Sequence, residues 1–206
     1  MPKRKISAFK IFALIIFLWS MLDSYLLIKD ESLLQLLWFC NTVLFLLAFG
    51  LYFESSIVLT AVFIGALGVQ SPWVLDFLIK LFFGHYIFGV SSYMFDYGFN
   101  NIRFYAELDH LLMLPLSLYG IYKLGFHKNG WVVGTIVTII INSGAYLFSS
   151  YKDNINCVFY NCLNQKITLS GHFFLYMILW TIFVSVVMFV LNRIIYEVLN
   201  RKIRNR

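Results

Sequence analysis

Long runs of apolar residues, separated by short polar segments, dominate the pattern of the chain. A helix needs about 20 consecutive apolar residues to cross the hydrocarbon core of a bilayer, and six segments reach or approach that length. The pattern therefore predicts an all-α fold, a polytopic membrane helix bundle with about six transmembrane helices. The predicted spans are residues 8–28, 33–53, 56–83, 107–124, 130–150 and 171–192.

Two parts of the chain depart from this regular pattern. The third span contains Ser71-Pro72-Trp73, and a proline inside a helix removes a backbone donor and predicts a kink. Residues 84–106 mix aromatic, glycine and polar positions. We expect an interfacial loop there, with a short amphipathic or re-entrant piece.

The composition agrees with a single membrane domain covering residues 1–206. Hydrophobic residues make up 61% of the chain and charged residues 13%, whereas soluble domains carry about 25% charged residues. The net charge is +6, but the basic residues concentrate at the two termini, where they flank apolar spans. Flanking basic residues are topology signals, so the lipid bilayer is the predicted partner and nucleic acid is not.

The distribution of basic residues also predicts an orientation. With six spans both termini lie on one side, and that side carries 11 of the 16 Lys and Arg residues. Cytoplasmic segments are enriched in Lys and Arg. We therefore expect cytoplasmic termini in a multi-pass protein of the plasma membrane.

Given this orientation, polar residues of all six spans lie toward the extracytoplasmic leaflet. Asp76 and Asp109 are notable because aspartate is short and reaches water poorly from within a bilayer, and His110 adjoins Asp109. These three residues are the candidate catalytic group, with His110 as proton carrier. Asn41 and Asn142 are candidate binding residues, or they form hydrogen bonds between helices, worth about 0.6 kcal/mol each.

Other polar residues have simpler explanations. Asp23, Glu107 and His172 lie near predicted helix ends, where charged groups can extend to water. Glu107-x-x-His110 is one copy of a pattern that binds metals when two copies face each other. No spacing demands a metal, so none is predicted, and the sequence leaves the cofactor and the oligomeric state open.

Two of the three cysteines lie close together in the predicted outer loop. Four residues separate Cys157 from Cys162, which permits a small disulfide loop in an oxidising compartment; two free thiols are the alternative. Cys40 lies in a span without an obvious partner, so we expect it to pack as a small hydrophobic side chain.

Five short motifs, LWFCN, PWVLDF, YMFD, DHLLMLPLSLYG and NIN, resemble a family of small uncharacterised prokaryotic multi-pass membrane proteins. The resemblance runs across most of the chain, and the family has no assigned chemistry. It implies recurring polar and proline positions at Asn41, Asp76, Asp96, His110, Pro115, Asn154 and Asn156. Asp96, Asn154 and Asn156 thereby join the candidate binding residues.

Three functions fit these patterns. The first is an extracytoplasmic polar cavity that binds, and in an enzyme would act on, a lipid-like or small polar molecule. The second is a structural or partner-binding protein whose polar cluster locks helices together. The third is a proton-coupled transporter, which the almost wholly apolar inner halves of the spans disfavour.

Overall fold

A computed structural model describes residues 8–163 and 166–204, and within these residues the chain forms helices and turns but no strand. Three short 3₁₀ segments, Leu33–Leu37, Glu107–Leu112 and Ile155–Cys157, accompany the α-helices. The α-helices are α1 (Ala8–Asp30), α2 (Phe39–Tyr52), α3 (Ser56–Gly65), α4 (Ser71–Phe83), α5 (Ser92–Tyr97), α6 (Ile102–Ala106), α7 (Met113–Leu124), α8 (Gly130–Phe148) and α9 (Phe173–Arg204).

Four helical stretches are long and apolar enough to cross a membrane: Ala8–Asp30, Ser56–Phe83, Gly130–Phe148 and Phe173–Leu199. These confirm the all-helical class and indicate an integral membrane protein. The other two predicted spans contain shorter α-helices. α2 has 14 residues and α7 has 12, which at about 1.5 Å per residue give lengths of only about 21 and 18 Å.

The structure shows a helix interruption near Pro72, where the helix changes from α to π. A π-helical turn, Ala66–Gln70, separates α3 from α4, and Pro72 lies in the first turn of α4. The Ser71 hydroxyl donates to the Leu67 carbonyl oxygen over 2.6 Å. Proline has no N–H to donate to the preceding turn, so this wide turn occurs where regular α-helical bonding cannot continue.

α3 lies at the centre of the bundle. It packs against α2, α7 and α8, while α1 packs on α2 and α9 packs on α8. Gly130 allows α8 to begin directly against α3, because a Cβ at this position would overlap the side chain of Thr60. The fully buried core includes Leu44, Leu47, Leu59, Ile64, Met113 and Met188.

Asp76 organises the start of the segment that follows α4. Its Oδ1 accepts from the backbone N–H groups of Ile87 and Phe88 at 2.8 and 2.9 Å. Its Oδ2 accepts from the Ser91 N–H at 3.1 Å and from the Ser91 hydroxyl at 3.2 Å. Residues 84–106 therefore form a loop that is fixed to α4 and carries the two short helices α5 and α6.

The Asn-Ile-Asn motif organises the second long loop. Asn154 and Asn156 have positive φ angles of 40° and 55°, a region that asparagine tolerates better than most residues. The Asn154 Oδ1 accepts from the N–H groups of Phe159 and Tyr160. Nearby, Cys157 and Cys162 form the disulfide that the sequence predicted.

Asn156 connects this loop to two helices. Its Oδ1 accepts from the Phe39 N–H at 2.6 Å, and its Nδ2 donates to the Leu37 carbonyl at 2.7 Å. The Trp180 indole donates to the Asn156 carbonyl at 2.8 Å. One asparagine thus caps the beginning of α2 and positions α9.

Replacing Asn156 is expected to lower the stability of the protein. In Asn156→Ala the buried Phe39 N–H and Leu37 carbonyl lose their partners, and each unsatisfied group costs about 1–3 kcal/mol. The thermal midpoint of the purified protein in detergent should fall by several degrees. Asn100→Ala, at an exposed position, is the matched control, and equal midpoints for the two variants would contradict this role.

Candidate functional site

A cavity of about 650 Å³ lies between α1, α2, the π-turn, α8, α9 and the two long loops. It extends from the loop end of the bundle to the middle of the longest spans. Its polar lining includes Glu31, Gln35, Asn41, Gln70, Arg103, Glu107, His110, Thr138, Asn142 and Asn156. Its apolar lining includes Trp38, Trp73, Trp180, Phe183, Val184 and Val187.

Arg103, from α6, is the buried cation at one end of this cavity. Its Nη2 lies 3.0 Å from Glu31 Oε1, 2.9 Å from the Tyr97 hydroxyl and 3.4 Å from Glu107 Oε1. Its Nη1 lies 3.6 Å from Asp30 Oδ2. Only 3% of the Arg103 side chain is exposed, so this set of acids compensates a charge that water scarcely reaches.

Glu107 continues the network toward the interior. The Tyr93 hydroxyl donates to Glu107 Oε2 at 3.1 Å and accepts from the Trp73 indole at 3.0 Å. Burial raises the pKa of the Tyr93 phenol, and the Glu107 carboxylate raises it further. The phenol therefore keeps its proton and serves as the donor to Glu107.

His110 lies at the centre of the polar groups. Its Nδ1 is 2.7 Å from Asp109 Oδ1, and both side chains are buried. Its Nε2 is 3.9 Å from Glu107 Oε2, and its ring centroid is 5.2 Å from that of Trp73. Cys40 lines the same cavity and packs against the main hydrophobic core, as the sequence predicted.

The acids around this site outnumber the bases. Asp23 is buried, its Oδ1 has no hydrogen-bond partner, and it interacts electrostatically with Arg103, Glu107, Asp109 and His110. Three buried carboxyl groups thus face one guanidinium and one imidazole, with Asp30 and Glu31 at the rim. The net charge of these groups is therefore not positive, even when His110 carries a proton.

Some of the candidate site residues predicted from the sequence lie together in the structure. His110 contacts Asp109, and Asn41, Asn142 and Asn156 line the same cavity as His110. Asn41 donates to the Gln35 carbonyl at 2.9 Å, and Asn142 donates to Thr181 at 2.9 Å.

Four predicted site residues lie outside the lining of the cavity: Asp76, Asp96, Asp109 and Asn154. All four hydrogen bonds of Asp76 go to residues 87–91, so Asp76 holds a loop and makes no hydrogen bond with Asp109 or His110 in the described chain. Asp96 is exposed on α5. Asn154 is buried, but its side chain organises its own loop.

Sequence reasoning placed Glu107 and Asp23 at helix ends in contact with water, and this was wrong. They are only 4% and 2% exposed, because the loops fold over the helix ends. Arg103 and Tyr93 were not singled out, and Cys40 was expected only to pack. One signal was available for Arg103: it precedes Glu107 by four residues, the spacing that places two side chains on one helical face.

No protein-family model, no curated protein and no solved structure matches this chain. The resemblance to small prokaryotic membrane proteins therefore stays a prediction. Among the described residues, no three His, Cys, Asp or Glu side chains are grouped closely enough to hold a metal ion.

The Arg103–Glu107 pair gives a quantitative prediction. Arg103→Gln leaves the Glu107 charge buried without its cation and should lower the free energy of unfolding by about 3–5 kcal/mol. The double variant Arg103→Gln/Glu107→Gln removes both charges and should recover a substantial part of that loss. Denaturant unfolding of the purified protein measures both effects.

Arg193→Gln is the control for these variants, because Arg193 is exposed and lies over the Phe189 ring. It should change the free energy of unfolding by less than about 1 kcal/mol. A double variant no more stable than Arg103→Gln alone would show that Glu107 does not depend on Arg103.

Proposed function

We propose that this multi-pass membrane protein binds an amphipathic, lipid-like molecule with an uncharged polar head in the extracytoplasmic leaflet. The main support for this proposal is that one cavity has both a polar side and an apolar side. Arg103, Glu107 and His110 lie on its polar side, and the apolar face of α9 lies on the other. Ligand sites of this size typically combine a mainly apolar wall with a few convergent polar groups.

A six-span topology is part of the proposal. The 3₁₀ segment Glu107–Leu112 continues into α7 and adds about 12 Å to it, at about 2 Å per residue. The combined length reaches about 30 Å, the thickness of the hydrocarbon core. The bias of Lys and Arg toward the termini and the disulfide in the loop opposite them support cytoplasmic ends.

The charges of the site favour an uncharged head group. A phosphate would meet Arg103, but it would also meet Glu31 and Glu107, which already bind that guanidinium. Like charges at close range are unfavourable in a poorly hydrated site. A hydroxyl, ester or amide can exchange hydrogen bonds with His110, Asn41 and Glu107 without adding charge.

The apolar side of the cavity suits an acyl chain. Trp180, Val184 and Val187 line it along α9. Phe183 also lines it, although 56% of its surface is exposed, so this wall reaches the outer, apolar surface of the bundle. A lipid tail would enter here from the bilayer without crossing water.

A structural role is the second candidate, and one observation favours it. The Arg103 network joins residues of α1, α5, α6 and the Glu107–Leu112 segment, so it also fixes the outer end of the bundle. A purely structural network needs no ligand. A binding measurement separates the two functions.

Filling the cavity should weaken ligand capture. In Val187→Trp an indole would occupy the apolar side of the cavity, whereas Val190→Trp, on the same helix, adds an indole at an exposed position outside the lining. The full-length protein in nanodiscs is irradiated with a photoactivatable diacylglycerol, and the crosslinked residues are mapped by mass spectrometry.

We expect crosslinks at cavity-lining residues in the wild type and in Val190→Trp, and a loss of at least about fivefold, or about 1 kcal/mol, in Val187→Trp. A photoactivatable phosphatidic acid should crosslink at these residues more weakly. If diacylglycerol crosslinks lie only on the outer surface, or are equal in the two tryptophan variants, the binding function is wrong and the structural role is favoured.

A further inference from the structure

The disulfide between Cys157 and Cys162 lies in the wall of the cavity. Both cysteines line the cavity and are only half-buried, and they stand five positions apart in the chain. Leu163, the next residue, also lines the cavity, and 51% of its surface is exposed. The disulfide can therefore be approached both from the cavity and from the surface of the loop. A cross-link that served only to hold this loop would not need access from two sides.

We propose that the Cys157–Cys162 disulfide is redox-active and exchanges two electrons with a quinone that binds in the cavity through an apolar tail. The inference rests on the proposed function, because such a quinone is an amphipathic molecule with an uncharged polar head. It names the ligand class and the reaction of that site. Exposed disulfides have more oxidising potentials than shielded structural ones, and they include the catalytic ones.

Trp180 provides a flat surface for the quinone ring beside the disulfide. Its indole Nε1 donates to the Asn156 carbonyl at 2.8 Å, and Asn156 is the neighbour of Cys157 in the chain. The indole lines the cavity, and its ring centroid is 5.6 Å from that of Phe183. A quinone ring stacked on this indole, in the offset geometry that aromatic systems prefer, would lie close to Cys157. Its tail would then follow the apolar wall of α9 toward the bilayer.

Cys162 is the better nucleophile of the reduced pair. The Asn154 Nδ2 donates to the Cys162 Sγ over 3.7 Å. The Asn154 Oδ1 accepts from the N–H groups of Phe159 and Tyr160, so the amide is held in place. Hydrogen bonds strengthen when the acceptor is ionised, and this amide therefore stabilises a thiolate on Cys162. The thiolate is the reactive form of cysteine.

The backbone around Cys157 holds its side chain at the cavity. Asn156 and Cys157 have positive φ angles of 55° and 61°, and a cysteine rarely occupies this region. Residues in such conformations are found mainly at functional sites. The Asn156 side chain binds the Phe39 N–H and the Leu37 carbonyl. Neither bond involves a sulfur, so both can position Cys157 after the disulfide has been reduced.

The reaction balances with a quinone as oxidant and a protein dithiol as reductant. The Cys162 thiolate forms a bond to a ring carbon of the quinone, and the Cys157 sulfur then attacks the Cys162 sulfur. The carbon–sulfur bond breaks with its electron pair left on the ring, and the protons of the two thiols end on the two quinone oxygens. The products are the disulfide and the hydroquinone. A protein dithiol outside the membrane reduces the disulfide again through a mixed disulfide and is itself oxidised to a disulfide.

Re-oxidation by a quinone tests the inference. The full-length protein in nanodiscs is reduced with dithiothreitol, freed of the reagent and mixed with decylubiquinone under argon. Samples are quenched with N-ethylmaleimide, and mass spectrometry locates the remaining thiols. We expect one quinone to be reduced per protein as the Cys157–Cys162 disulfide forms again. The rate of quinone reduction should fall at least about a hundredfold in Cys157→Ser/Cys162→Ser, because no dithiol remains there to supply two electrons.

Two tryptophan variants show whether the quinone reacts from the cavity. Val187→Trp, which fills the apolar side, should slow re-oxidation at least about fivefold, or about 1 kcal/mol in the free energy of binding. Val190→Trp is the matched control, because Val190 is exposed and lies outside the lining, and it should react at the wild-type rate. The wild-type stoichiometry and this pair decide the question if the double serine variant does not fold.

The outcomes separate the reaction from the binding site. Thiols that persist in the presence of decylubiquinone, equal rates in the two tryptophan variants, or a reduced protein without a cooperative melting transition would overturn the inference. The last result would identify a structural cross-link. Photoactivatable diacylglycerol is applied to the oxidised protein in parallel. Cavity crosslinks without quinone reduction would leave the proposed function standing and reject the redox reaction, and absence of both would reject both.

Discussion

The burial of Arg103 is the constraint on which the loop end of this molecule depends. A guanidinium that is only 3% exposed must be surrounded by acceptors, because an uncompensated charge costs several kcal/mol in a poorly hydrated environment. The acceptors come from α1, α5 and the start of the α7 region, so these elements have to converge on one point. The convergence leaves a polar surface on one side of the cavity and places His110 beside it.

Two loops hold these elements in place. Asp76 binds the backbone of residues 87–91, which positions α5 and therefore Tyr93 and Tyr97. Asn156 ties the other loop to α2 and α9, which positions the first turn that carries Cys40. The polar residues near the site thus divide into those that hold its walls and those that face its interior.

The helical membrane class and the disulfide were predictable from the sequence, because hydrophobic length and cysteine spacing are local properties. The Pro72 interruption was predictable for the same reason. The partners of Asp76 were not, since an aspartate can bind loop amides as well as another side chain and the choice depends on tertiary folding. Glu107 and Asp23 lie near helix ends in the sequence, and only the folded loops remove them from water. Cys40 and His110 are 70 positions apart, so no local pattern connects them.

The central claim is that a cavity reaches Cys40 and accepts a neutral amphipathic molecule there. The most direct measurement is the rate of Cys40 alkylation by N-ethylmaleimide in nanodiscs, with and without dioleoylglycerol or dioleoyl phosphatidic acid. The account predicts alkylation of the folded protein, slowed several-fold by dioleoylglycerol and much less by the phosphatidic acid. Alkylation that occurs only after denaturation, or that both lipids slow equally, would contradict it.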